Sequence, residues 1–275
     1  MRFAKWHGIG NDFVLIADPE NRISLDGDQV RKICDRRFGV GADGVIRVAP
    51  GPDGADLFMD YVNSDGSLGE MCGNGIRCLA LFAREEGLTN QTELKVATRA
   101  GVKTVTILDD GRIRVDMGPP GFVPAEIPME WDEPDALHAK LEVDPEVIEA
   151  TVLSMGNPHA VLFVDRPEDA PIATLGPVIE KLDVFPNGAN VEWARVDSPD
   201  HVTMTVWERG SGQTLACGTG ACAVAVAARL IADADERITV SLPGGDLVVE
   251  WSGSLDEQAS VFMTGPAEKS FTGEL

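Results

Sequence analysis

Residues 210–230 read GSGQTLACGTGACAVAVAARL, and an earlier stretch, residues 66–87, reads GSLGEMCGNGIRCLALFAREEG. Each sets Gly-Ser ahead of Cys-Gly-x-Gly, and the second glycine opens a run rich in Ala and Leu. The runs are long enough for three or four helical turns and apolar nearly all round, and a helix without a polar stripe is a buried one. The spacing predicts two buried helices of one design, headed by Cys72 and Cys217, which stand 145 residues apart.

Other segments repeat in the same register. Gly10-Asn11 before DFVLIAD matches Gly156-Asn157 before PHAVLFVD, FGVGADGVIRV from Phe38 matches FPNGANVEWARV from Phe185, and VDMGPP from Val115 matches FMTGPA from Phe262. The order is the same and the offset stays between 145 and 147 residues, which marks an internal duplication. Around each buried helix lie short strand-like runs cut by Gly, Pro, Asn and Asp: FVLIAD, GVIRVA, LFMDYV and KTVTIL in one half, AVLFVD, NVEWARV, VTMTVWE and RITVSL in the other. A shorter helix, DQVRKICDRRF, lies outside the first, with Cys34 on its apolar face. The expected fold is α+β, with two pseudo-symmetric domains, each a curved, mostly antiparallel sheet wrapped round a central buried helix, and the active site in the cleft between them. The Pro-rich span GPPGFVPAEIPMEWDEP is the crossover, giving domains over 1–118 and 119–264.

Bulk properties exclude several classes. With 275 residues, 44% hydrophobic and 25% charged, the chain can bury a sizeable core. No apolar run approaches the ~20 residues that span a bilayer. The start, MRFAKWHGIGNDF, lacks a signal-peptide core, so a cytoplasmic protein is expected, with no membrane partner. A formal charge of -22 repels phosphate backbones and argues against nucleic acid. The acids are scattered, as on a solvated acidic surface; a salt-adapted host would account for them equally. Five cysteines in such a chain do not read as a disulfide framework. The spacings Cys72–Cys78 and Cys217–Cys222 are not those of a zinc knuckle, so no metal is expected. Gly39–Gly44 spells G-x-G-x-x-G, but it follows a helix and precedes a strand, the reverse of a dinucleotide site.

Cys72 and Cys217 sit where a glycine loop becomes a buried helix. Backbone N–H groups there lack intrahelical partners and the positive end of the macrodipole is exposed. A thiol at that place is expected to have its pKa lowered. The N–H groups of Gly73, Asn74, Gly218 and Thr219 can grip a carboxylate. Two such thiols, one on each face of an α carbon, could remove a proton from one side and return one to the other. That is a racemase or epimerase working without pyridoxal phosphate. Cys78 and Cys222, inside the helices, read as core. The repeat also breaks its own symmetry: Asn63 is matched by Glu208 and Phe13 by His159. His159 and Glu208 are therefore candidates for tuning how the thiols share a proton, and Arg209 for clamping a second carboxylate.

At these residues the chain resembles the diaminopimelate epimerases. Their signature N-x-D-G-S-x4-C-G-N-G-x-R is complete here as Asn63, Asp65, Gly66, Ser67, Cys72, Gly73, Asn74, Gly75 and Arg77, and MGNPH, GANVE, WERGSGQT and ACGTG follow in family order. The resemblance implies interconversion of LL- and meso-diaminopimelate on the way to lysine and peptidoglycan, with no cofactor. Cys217 would be the base towards the LL isomer and Cys72 the acid. The resemblance further implies substrate binding by Asn11, Asn63, Asn157, Asn190, Glu208 and Arg209, with Gly73-Asn74 and Gly218-Thr219 at the carboxylate. It implies a homodimer and a last segment, 265–275, packed back on the first domain. Where many relatives carry Gln, this chain has Gly44. Two rival readings stand beside it: a proline or hydroxyproline racemase of the same two-thiol design, and a thiol redox sensor.

Overall fold

The strand-like runs form strands because β-branched and aromatic residues alternate between two covered faces, and Gly, Asn and Asp turns end them. The computed structural model describes residues 1–275. It divides into unit 1, residues 1–116 with 264–275, and unit 2, residues 117–263.

Unit 1 contains β1 (Arg2–Gly8), β2 (Asn11–Ala17), α1 (Gly27–Cys34), β3 (Gly44–Pro50), β4 (Leu57–Asn63), α2 (Gly73–Glu85), β5 (Glu93–Thr98), β6 (Gly101–Ile107) and β7 (Ile113–Gly118). The chain then runs through unit 2: β8 (Ala139–Val143), β9 (Glu146–Ser154), β10 (Pro158–Phe163), α3 (Ile172–Ile179), β11 (Asn190–Ser198), β12 (His201–Glu208), β13 (Gly212–Thr214), α4 (Gly218–Ile231), β14 (Arg237–Leu242), β15 (Gly245–Glu250) and β16 (Val261–Gly265). Strand β17 (Glu268–Glu274) returns to unit 1 and pairs antiparallel with β1.

The duplication is visible in strand direction. In unit 1, β1–β2 is antiparallel, β2–β3 parallel, β3–β4 antiparallel, β4–β5 parallel and β5–β6 antiparallel. In unit 2 the same alternation runs through β9–β10, β10–β11, β11–β12, β12–β14 and β14–β15. Each sheet is thus mostly antiparallel, and each parallel step is bridged by a helix, as a parallel neighbour requires. Helices α1 and α3 make the first bridge, α2 and α4 the second.

These helices decide which strand faces are buried. In unit 1, Val14, Ile16 and Val45 join α1 residues Val30 and Ile33 in one cluster, so Phe13, Leu15 and Ile46, one residue out of phase, point to the opposite face. In unit 2, Ala160, Leu162, Val191 and Trp193 cluster with Ile172 and Ile179 of α3. His159, Val161 and Glu192 therefore take the other face, against which α4 packs. Coverage on both faces makes the strands continuous apolar runs. Sequence reading did not pick out α3, because Gly176 and Pro177 interrupt it. Gly176 is there to admit the Trp207 ring, which would stand 2.5 Å from an added Cβ. No helix is long and apolar enough to cross a membrane.

Candidate active site

In unit 1, Cys72 is the N-cap of α2, in extended conformation, and its Sγ accepts from the Gly75 N–H at 3.4 Å. The thiol faces Asn11 Oδ1 at 3.7 Å, and Asn74 Nδ2 donates to that same oxygen at 3.1 Å. Asn11 owes its orientation to Asp43: its Nδ2 donates to Asp43 Oδ2 at 2.7 Å, and a carboxylate accepts only, so Oδ1 must turn to Cys72 and Asn74. Asp43 is held in turn by Arg36 and by the Asp12 N–H. Asp43 is a positioning residue that sequence reading missed; its signal was its place in GADG beside the flagged Gly44. Asn63 Nδ2 donates to Ser67 Oγ, and Ser67 Oγ to Asp65, which ties the signature's Asn, Asp and Ser into one turn ahead of Cys72. Arg77, fully buried on α2, donates to Gly73 O and to Pro266 O, so it fastens the returning C-terminal segment to the helix. At Gly44 an added Cβ would lie 2.6 Å from the Tyr61 ring, so Tyr61 fills the space that a longer residue would need.

In unit 2, Cys217 is the N-cap of α4 with nearly the same backbone as Cys72, and its Sγ accepts from Gly220 N–H at 3.3 Å. Thr219 Oγ1 lies 3.6 Å from the sulfur. Glu208 ends β12 and accepts from Thr214 Oγ1. On β10, His159 Nδ1 lies 2.6 Å from Glu192 Oε1, and its Nε2 lies 3.0 Å from Asn157 Oδ1. Asn190 is a brace: its Nδ2 donates to Pro158 O, and its Oδ1 accepts from the Arg209 N–H. Glu180, at the end of α3, accepts from Trp207 Nε1 and Gly210 N–H, and so grips both sides of the Glu208–Arg209 corner. The Arg209 side chain is exposed, with Nη1 donating to Asn187 O.

One expectation changes at this point. A helix N-terminus alone lowers a thiol pKa, yet the Cys217 thiol is pushed well above its ordinary value. Burial is the first cause, and the charges of Glu208 and Glu192 add to it; donation from Thr219 and Gly220 does not make up the difference. Burial likewise raises the carboxyls of Glu208 and Glu192. Cys34 and Cys78 are desolvated thiols raised to about 11 and about 12, as expected of core residues. No group of three or more His, Cys, Asp or Glu side chains could hold a metal ion.

Known proteins share this architecture. A phenazine biosynthesis protein of the PhzF family from Bacillus anthracis superposes with a TM-score of 0.73 at 19% identity, covering 100% of this chain and 98% of the other. A hydroxyproline epimerase from Agrobacterium vitis superposes with 0.73 at 15% identity, covering 100% and 90%. The chain therefore has the two-unit α+β fold of the racemase- and PhzF-type proteins. Sequence comparison is more specific. The diaminopimelate epimerase family model matches residues 3–123 and 151–270. Proteins named diaminopimelate epimerase from Synechococcus elongatus and Thioalkalivibrio sulfidiphilus are each 47% identical over 100% of this chain and 98% and 99% of their own lengths. The chain belongs to the diaminopimelate epimerase family and is an isomerase.

Proposed function

We propose that the protein interconverts LL- and meso-diaminopimelate by moving one proton off and another onto a single α carbon, with Cys217 and Cys72 as the two acid/base groups and no cofactor. The observation that carries this reading is the repeated N-cap: the same cysteine, in the same backbone conformation, heads the buried helix of both units. In the direction from LL, the Cys217 thiolate takes the α proton and becomes a thiol. The electron pair left on carbon is delocalised into the carboxylate, where the helix-start N–H groups of Gly73, Asn74, Gly218 and Thr219 stabilise it. Cys72 delivers its proton to the other face and becomes a thiolate; the reverse reaction exchanges the roles. The Glu208 carboxyl, which burial raises, can take up the Cys217 proton before attack, and a bound substrate ammonium adds positive charge beside these acids. Arg209, with its guanidinium exposed, is suited to the distal carboxylate. We further propose a cytoplasmic homodimer, which light scattering would read as about twice the chain mass of 29.4 kDa.

The test is proton NMR of LL-diaminopimelate in deuterated water with reduced, dialysed protein and nothing added. The expected result is loss of the α-proton signal with growth of the meso isomer. No exchange by folded, reduced protein would overturn the substrate assignment, and exchange of proline in its place would transfer the reading to the racemase alternative.

A further inference from the structure

Position 192 breaks the internal repeat in a way that the two cysteines do not account for. The register of β2 on β3 pairs Phe13 with Gly44 and Leu15 with Ile46, and that of β10 on β11 pairs His159 with Asn190 and Val161 with Glu192. His159 thus takes the place of Phe13, and Glu192 the place of Ile46. In unit 1 both positions are hydrocarbon and fully buried, and Ile46 Cδ1 lies 2.8 Å from where a Cβ on Gly75 would stand. In unit 2 the same point, on Gly220, is flanked by Glu192 Oε1 at 2.8 Å and Cys217 Sγ at 3.2 Å. The third residue after the cysteine is therefore glycine for different reasons in the two units.

Unit 1 shows that this fold closes with apolar side chains beneath the helix. An acid and an imidazole there, both with 0% side-chain exposure, carry a desolvation cost that the architecture does not demand. Glu192 Oε2 has no hydrogen-bond partner, so the carboxyl is held for something besides structural hydrogen bonding. Its other oxygen is 2.6 Å from His159 Nδ1, and two lone pairs cannot face each other at that distance, so a proton occupies the contact. His159 Nε2 faces the side-chain oxygen of Asn157, so each ring nitrogen meets an oxygen and the proton in the Nδ1–Oε1 contact is shared by imidazole and carboxyl.

We infer that Glu192, paired with His159, is a positioning residue for Cys217, storing one proton beneath the first turn of α4 and so governing when that thiol can give up its own. This rests on the two-thiol reading above. The charged groups that act on Cys217 are Glu208 from β12 and Glu192 from β11, with His159 from β10 acting on both carboxyls. Strands β14 and β15, which also pack on α4, contribute buried Ile238, Val240, Leu247 and Val249. While the pair keeps its proton, a thiolate above it meets no added negative charge; once the proton is lost, the bare carboxylate opposes the thiolate. The device is one-sided, because hydrocarbon occupies the matching positions under Cys72. It makes the two thiols inequivalent although their backbones are alike.

The test alkylates the full-length protein with iodoacetamide from about pH 6 to about pH 10 and reads each cysteine by mass spectrometry. Glu192→Gln keeps the size of the side chain and can still hydrogen-bond Nδ1, but it cannot carry charge. The expected result is that Cys217 alkylates roughly tenfold faster across the window, as a thiol whose titration has moved down by about one pH unit does, while Cys72 does not move. Glu192→Asp, which restores the charge, should bring the Cys217 profile back towards wild type. Should Glu192→Gln fail to fold, Glu192→Met, which copies the hydrocarbon at Ile46, is read in the same way. A Cys217 profile superimposable on wild type in a folded variant, or a shift shared equally by both cysteines, would overturn the inference. Alkylation needs no substrate, so this result and that of the NMR experiment can fail independently.

Discussion

Cys72 is half-buried and Cys217 buried, and their sulfurs meet different chemistry: an amide oxygen of Asn11 in one case, carboxyls in the other. The two thiols are therefore not interchangeable, whatever their common origin. Replacing either by serine leaves a hydroxyl far too weak to act as a base, and removing a positioned general acid/base costs a factor on the order of 10²–10⁴. Cys72→Ser and Cys217→Ser should each lower kcat by at least about a hundredfold with the fold intact. Steady-state kinetics together with circular dichroism would check it; near-wild-type turnover in either variant would remove that cysteine from the mechanism. Gly44 shows the limit of reading one position alone. Its lack of a side chain is set by Tyr61, seventeen residues along the chain and adjacent only through the β3–β4 pairing.

At the level of elements, the same amphipathic rules place two kinds of helix. Helix α1 lies on the outer face of its sheet with one apolar stripe, and Asp26 caps it through the Gln29 N–H while the Gln29 side chain reaches back to the Asp26 N–H. Helices α2 and α4 have no polar stripe and use a cysteine as cap, which exchanges a strong acceptor for a reactive one. Ordinary caps of the α1 kind are worth about 1 kcal/mol. Asp26→Ala should therefore lower unfolding stability by about 1 kcal/mol without changing kcat, as a urea titration followed by an activity assay would show. A large loss of activity would mean that α1 supports the site more directly than its position suggests.

For the whole molecule, a formal charge of -22 means that its stability depends on how carboxylates are partnered. Asp12 is the clearest case. Burial works against its ionisation, but hydrogen bonds from Arg36 and Lys5, with the Lys5 charge, outweigh it and bring the carboxyl down to about 2. Because the folded-state pKa is depressed, the stabilisation is complete above the ordinary value near 3.8 and is lost as pH falls towards 2. Without screening that shift would correspond to about 2 kcal/mol at neutral pH, and at a half-buried carboxylate to roughly 1 kcal/mol. Asp12→Asn should be less stable than wild type by about that amount at pH 7, and the difference should vanish in acid. Chemical denaturation at several pH values would measure it, and a gap that persists at low pH would mean that Asp12 acts through packing instead of charge.

The sequence by itself determined the duplication, the buried helices and the cysteines that head them, because punctuation by Gly and Cys and the loss of a polar stripe are local signals that survive in one dimension. It also marked His159 and Glu208 as the places where the copies differ. Only the tertiary structure decided what those differences mean. Glu192 reads in sequence as one more acid in a strand of an acid-rich chain, and Ile46 as one more core residue. Their equivalence follows from strand register, which sends alternate side chains to opposite faces, and from α4 lying on the face that receives Glu192. The direction of the Cys217 shift was settled in the same way. The helix terminus is legible in the sequence, but the burial and the two carboxylates that outweigh it belong to neighbours brought in by the sheet.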